Sequence, residues 1–273
     1  MNNYGNVKNT THAMGWRMRN LELYRDSNHL CVLLHETEGN EEEGIHSNQY
    51  LILHREEGVL LDPGGFGVMP DVLEAMLDYC TPEQIKAIIL SHQDPDIVGG
   101  LASWLEITQA QVWISRLWTR FIPHYGLPPK AVERLIAIPD EGARFTWNDG
   151  TELELLPAHF LHSEGNFHVY DPTSQILFSG DLGAAEMSSA ALSPFVDDFP
   201  AHVCQIAGFH RRYMVSHRAV AVWRATLGDR PLSMIAPQHG AIYRGRAITD
   251  FLAWIDELPC GVDCLQPGGR FLP

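Results

Sequence analysis

The chain has 273 residues, 45% of them hydrophobic, and sets 19 Lys and Arg against 34 Asp and Glu for a formal charge of −15 at pH 7. That charge opposes approach to phosphate backbones and anionic lipid surfaces, which excludes nucleic acid as a natural partner. Met1 to Asn20 has no apolar core of signal-peptide length, and no segment approaches the roughly 20 apolar residues of a membrane span, so a cytoplasmic protein away from the membrane is expected.

No low-complexity linker or long charge block interrupts the sequence, and a single globular domain over residues 1–273 is expected. Its five cysteines, Cys31, Cys80, Cys204, Cys260 and Cys264, are odd in number and lack C-x-x-C spacing. They read as structural rather than as a disulfide framework or a cysteine-based zinc site.

In chain order, the β-prone run from Asn48 to Leu53, a turn at Glu56-Glu57-Gly58 and the run Val59-Leu60-Leu61 predict a hairpin that stops at Asp62-Pro63-Gly64-Gly65. Pro70 to Cys80 places Val72, Leu73, Met76 and Leu77 at helical spacing, with Pro70 suited to an early helical position. Ile85 to Leu90 reads as a buried strand opening into the polar loop Ser91-His92-Gln93-Asp94-Pro95-Asp96, with Gly99-Gly100 beyond. The second half repeats this plan. Thr151 to Leu156 reads as a strand running toward His159 and His162, followed by Phe167 to Tyr170, a turn at Asp171-Pro172-Thr173, and Ile176 to Phe178. Residues 201–227 are helix-compatible, Leu232 to Ala236 is a last strand ending at Pro237-Gln238-His239-Gly240, and Ala247 to Leu258 closes with a helix. Strands in two groups, each with helices, predict an α/β protein built as two sheets covered by helices.

Separate strand ends thus deliver ligand-type residues into loops: His92-x-Asp94-x-Asp96, then His162 and Asp181, then His239. Alternate spacing in an extended segment aims neighbouring side chains toward one region. Three imidazoles and three carboxylates bring a charge of −3, which offsets most of the charge of two divalent ions. Oxygen-rich donor sets of this kind suit iron or manganese, whereas zinc hydrolase sites lean on histidine.

Ser91 to Gly100, Leu177-Phe178-Ser179-Gly180-Asp181 and Pro237-Gln238-His239-Gly240 resemble the metal motifs of the metallo-β-lactamase superfamily, and within it the flavodiiron group. The hydrolases have H-x-H-x-D-H. Here Asp94 stands in the second histidine position and Ile97 in the last, whereas flavodiiron proteins have H-x-E-x-D. Leu161-His162 with Tyr170 eight residues on, and the run His239 to Arg244, extend the resemblance over roughly Asn48 to Gly245. It implies an αββα sandwich of two mixed sheets covered by helices. It also implies two iron ions, with His92, Asp94 and His162 on one, Asp96 and His239 on the other, and Asp181 bridging both; zinc or manganese stays open as the metal. Flavodiiron proteins usually continue into a flavodoxin domain, for which this chain leaves no room before Pro273, so it more closely resembles stand-alone oxygen-binding di-iron proteins.

The resemblance implies reversible binding of dioxygen by a sensor or carrier. A reductase of O2 or NO fed by a separate electron donor is the alternative, with a zinc hydrolase behind both. A signalling or electron-transfer partner follows from either redox reading, and a homodimer is left open. His159 competes with His162 as the ligand, and the spacing to Tyr170 prefers His162. His46, Tyr170 and Tyr243 could reach a metal-bound ligand, but a phenol buried beside a metal commonly bonds to backbone instead. Trp104, Trp113, Trp118, Trp147, Trp223 and Trp254 read as core or rim residues.

Overall fold

The computed structural model describes residues 18–36, 46–185 and 193–271. The chain divides into two compact units, Met1–Ile138 with Trp147–Gly150, and Pro139–Thr146 with Thr151–Pro273. Each holds one sheet and its own helices.

The first unit is built on a seven-stranded sheet in chain order: β1 (Met18–Arg25), β2 (His29–Glu36), β3 (Gln49–His54), β4 (Glu57–Leu61), β5 (Ile85–Ile89), β6 (Gln111–Ser115) and β7 (Leu135–Ile138). The first four pair antiparallel, and β4 to β7 run parallel. All of β3 and most of β4 and β5 are buried, which explains near-continuous apolar runs in place of alternation. The hairpin turn falls at Arg55 and Glu56, one residue earlier than the sequence suggests, with Arg55 at φ 55 and Glu57 already paired to His54. Helix α1 (Met69–Leu77) starts with a proline in its first turn and buries Val72, Ala75 and Met76, a three-and-four spacing that makes one apolar face. That face joins a core with Leu51, Leu60, Ile88 and Trp104.

The turn Trp147–Gly150 belongs to this first unit because of a buried histidine pair. His29 Nδ1 meets His54 Nδ1 at 3.0 Å, His54 Nε2 meets Asp149 Oδ2 at 2.8 Å, and the Trp147 ring lies against both imidazoles.

The second unit carries a six-stranded sheet in the order β13-β12-β11-β10-β9-β8, from β8 (Ala143–Thr146), β9 (Glu152–Pro157), β10 (Phe167–Asp171), β11 (Ile176–Phe178), β12 (Met234–Ala236) and β13 (Tyr243–Arg244). Only β11 and β12 pair in parallel, so the sheet is mixed. The helix-compatible stretch 201–227 is two helices, α5 (Phe199–Tyr213) and α6 (His217–Leu227). Asp198 caps the first by accepting from the Ala201 amide and Ser216 caps the second by accepting from the Ala219 amide. With α7 (Arg246–Ile255) they cover a core of Leu177, Trp223, Ile235, Tyr243 and Phe251. Among the described residues no helix is long and apolar enough to cross a membrane.

Candidate metal centre

In the first unit the ligand loop begins where β5 ends. The Asp62 carboxylate, on a buried residue at the end of β4, accepts from the Ser91 amide at 2.7 Å and fixes the exit of the strand. His92 is 1% exposed and its Nδ1 lies 3.0 Å from the Ser91 hydroxyl, which leaves Nε2 as the nitrogen facing Asp94 Oδ2 at 3.5 Å. A hydrogen bond on one ring nitrogen is how a histidine ligand is usually oriented for its metal.

Asp94 occupies the N-cap position of the short helix α2 (Pro95–Val98), yet its side chain makes no cap bond. Aspartate at that position usually caps; here the carboxylate is kept for another use, with Oδ1 accepting from Gln93 Nε2 at 3.0 Å. Asp96 follows in the first turn of α2. Ile97, where the hydrolases have their last histidine, is fully buried in the core, so packing has replaced ligation there. A Cβ on Gly99 would stand 2.5 Å from the Pro95 carbonyl and 3.4 Å from the Gly65 Cα. Only glycine lets the end of α2 lie on the Gly64-Gly65 turn, where the Gly100 amide donates to the Gly64 carbonyl at 3.0 Å.

Sequence reasoning passes over Tyr125, whose hydroxyl donates to the Gln93 carbonyl at 2.8 Å and pins the middle of the ligand loop. Burial, and after it the carboxylates of Asp94 and Asp96, push the pKa of its phenol up, so it stays a neutral donor. Nothing in the local sequence Pro123-His124-Tyr125-Gly126 announces that contact.

In the second unit His162, Asp181 and His239 come together. His162 lies in the turn after β9, against the rings of Phe209 and Tyr213 on α5. Asp181 and His239 follow β11 and β12, and their loops are tied by the Gln238 amide to the Gly180 carbonyl at 2.7 Å and the Ala185 amide to the His239 carbonyl at 3.2 Å. Asp181 is 4% exposed. Its Oδ2 lies 3.8 Å from His162 Nε2 and its Oδ1 3.6 Å from His239 Nε2. One carboxylate therefore has an imidazole nitrogen beside each oxygen, at separations too long for hydrogen bonds but suited to donors sharing a cation through bonds of about 2.1 Å.

A second layer holds the Asp181 loop. Gly183, at φ 93, donates its amide to His210 Nε2 at 2.8 Å and accepts on its carbonyl from the Tyr243 hydroxyl at 2.8 Å. A Cβ there would come within 2.9 Å of the Tyr243 ring. His210 is fully buried, and burial brings its pKa down to about 4. It is a neutral imidazole whose Nδ1 donates to the Ile206 carbonyl at 2.7 Å, so Nε2 must be the acceptor. Tyr243 bonds to backbone and to His202 Nε2 at 3.2 Å, and Tyr170 donates to the Pro231 carbonyl at 2.9 Å. Both phenols take the backbone-bonding alternative raised by the sequence. His159 places Nε2 on the Asp140 carbonyl at 2.8 Å and its ring against Phe167, which is a structural placement. His46 is half-buried just ahead of β3.

The family described as "ODP family beta lactamase" matches residues 45–240. Two solved structures are similar at full-domain scale. The apo state of the chemotaxis sensor ODP from T. denticola is 41% identical, covers 89% of this chain and 96% of its own, and superposes with a TM-score of 0.81. A structure of the peroxy diiron species of the chemotaxis sensor ODP is 40% identical, with 89% and 97% covered and a TM-score of 0.80. Diflavin flavoprotein A 1 of Synechocystis sp. is 28% identical over 123 residues, 45% of this chain but only 20% of that protein, so the chain spans about a fifth of that longer relative. The two mixed sheets with their helices are thus the metallo-β-lactamase-like core of the flavodiiron type. With the family match extending over more than two thirds of its length, the chain belongs to the ODP family beta lactamase proteins.

Proposed function

We propose that this protein binds dioxygen reversibly at a di-iron centre and acts as an oxygen sensor. His92, Asp94 and His162 would hold one iron and Asp96 and His239 the other, with Asp181 placed to be shared between them. The observation that carries the reading is the Asp181 carboxylate with one imidazole nitrogen beside each of its oxygens. The donor chemistry fits: three carboxylates with three imidazoles favour iron over zinc. When bound, a ferrous pair supplies the electrons that dioxygen binding draws on, a redox change closed to zinc. The chain's own part is to fix the donors, through Ser91 on His92, Tyr125 on the ligand loop, and His210 and Tyr243 on the turn after Asp181. The similar chemotaxis sensor supports a signalling partner, and the buried thiols of Cys80, Cys260 and Cys264, which form no disulfide, suit a reducing, cytoplasmic setting.

Loading with ferrous iron under argon should give two equivalents per chain. Admitting air should then produce a visible absorption band that disappears on degassing, with oxygen uptake stopping once the sites are filled. Failure to retain iron, or no spectral change in air, overturns the reading. A second reading, an O2 or NO reductase fed by a separate donor, is one that the same six donors would permit. Sustained gas consumption in the presence of a reductant would establish it instead. Metal analysis of protein purified without added metal decides among iron, manganese and zinc, and sedimentation velocity decides between monomer and homodimer.

A further inference from the structure

A cavity of about 590 Å3 opens on the second unit between the segment Pro157 to Phe160 and helix α6. That volume lies in the range of small-molecule sites, roughly 300–1,000 Å3. Its walls are apolar, formed by Pro157, Phe160, Val215, Ala219, Val222 and Trp223. Trp223 is fixed at the base of the wall, 1% exposed with its indole N–H donating to His168 Nδ1 at 3.0 Å. Phe160 and Val222 are 44% and 61% exposed, large apolar surface left to water on two facing elements. None of these residues belongs to the donor set.

The polar group that distinguishes the cavity is Arg218. It lies in the first turn of α6, where the helix dipole disfavours a cation, and that turn contains no acidic residue. The N-cap is already filled by Ser216, so the guanidinium has no capping duty. Three nearby arginines are engaged, Arg224 with Asp256, Arg230 with Glu154, and Arg212 over the Phe271 ring. Arg218 has no carboxylate partner among the described residues, and it is exposed on the cavity wall. From Phe199 to Gly228 there is no Asp or Glu at all, in a chain whose formal charge is −15. A cation set against the local dipole and left unpaired beside an apolar chamber is a departure from local rules of the kind that marks function.

We propose that this cavity binds a small organic acid with an apolar body, a medium-chain or arylalkyl carboxylate, whose tail lies between Phe160, Val222 and Trp223 and whose carboxylate pairs with Arg218. The site is separate from the metal ligands and does not depend on the iron reading. Asp140 is the one acid on the wall, so the matching amine is the critical counter-ligand.

The test uses the full-length protein and the fluorescence of 8-anilinonaphthalene-1-sulfonate, an aromatic anion with an apolar body. The dye should bind saturably at one site, and decanoate should displace it at a concentration at least tenfold lower than decylamine, both below their micellar range. Val222→Glu should weaken dye binding at least tenfold, Val222→Ala much less, and Arg218→Glu should abolish the preference for decanoate over decylamine. Positions 218 and 222 are exposed, so all three variants should keep the wild-type circular dichroism and melting temperature. Equal displacement by the amine, or unchanged dye affinity in a folded Val222→Glu protein, overturns the proposal. Should a variant fail to fold, the decanoate–decylamine comparison on the unaltered protein decides alone.

Discussion

Asp94 and Asp181 are both aspartates, but their surroundings give them different tasks. The Asp94 side chain is about a third exposed and spared from capping, so it can swing toward one cation. Asp181 is buried with an imidazole beside each oxygen, so on the di-iron reading it could serve two. On the di-iron reading, Asp181→Ala should lose both metals and Asp94→His should tilt the site from iron toward zinc. Elemental analysis of the two variants checks this, and Asp181→Ala retaining two equivalents removes the bridging assignment. His210 makes a separate prediction about acid. Its folded pKa of about 4 lies below the ordinary 6.5, so between these values the unfolded chain binds more protons than the folded one. Stability therefore rises with pH across that window. The loss on going from pH 6.5 to 4 is on the order of 3 kcal/mol. Urea midpoints of the metal-free protein over that range should fall less steeply in a folded His210→Gln variant, and parallel curves would contradict the assignment.

The turn after β11 shows how one element is held by several others. Gly183 receives His210 from α5 and Tyr243 from β13, each through a backbone group. Tyr243→Phe leaves the Gly183 carbonyl buried without its hydroxyl, a cost of about 1–3 kcal/mol. A melting temperature lower by several degrees is expected, and an unchanged one would mean that water replaces the bond. Little of this layer is legible in the sequence, because His210 and Gly183 are brought together by folding and their local neighbourhoods advertise nothing. The strands that precede ligands are far clearer: Ile85 to Ile89 and Ile176 to Phe178 are apolar runs stopped by polar or glycine-bearing loops. Strand β1 precedes the first element expected from the sequence, although Leu21 and Leu23 alternate with polar residues as in a half-buried strand, and its pairing to β2 supplies the ladder. The break between α5 and α6 had a signal in Ser216, an N-cap residue inside an otherwise continuous helical pattern.

At the scale of the molecule, the two units are interleaved along the chain. Trp147–Gly150 belongs to the first while the residues on both sides belong to the second. A chain that passes repeatedly from one unit to the other cannot complete either before most of it has been ordered. We therefore expect one cooperative unfolding transition, coincident by tryptophan fluorescence and far-ultraviolet circular dichroism, and raised by iron because the metal binds only the folded state. Two resolved transitions would establish separately folding domains. The six proposed ligands rest on residue type and loop position, since each follows an apolar strand or lies in a polar turn. What the sequence could not convey was how Asp181 is flanked. On the di-iron reading, a carboxylate with a nitrogen at each oxygen would be only half used by one ion, and a first ion held there would leave the second oxygen placed for another. In a titration with less iron than sites, the protein should partition into empty and fully loaded molecules, with few chains carrying a single ion.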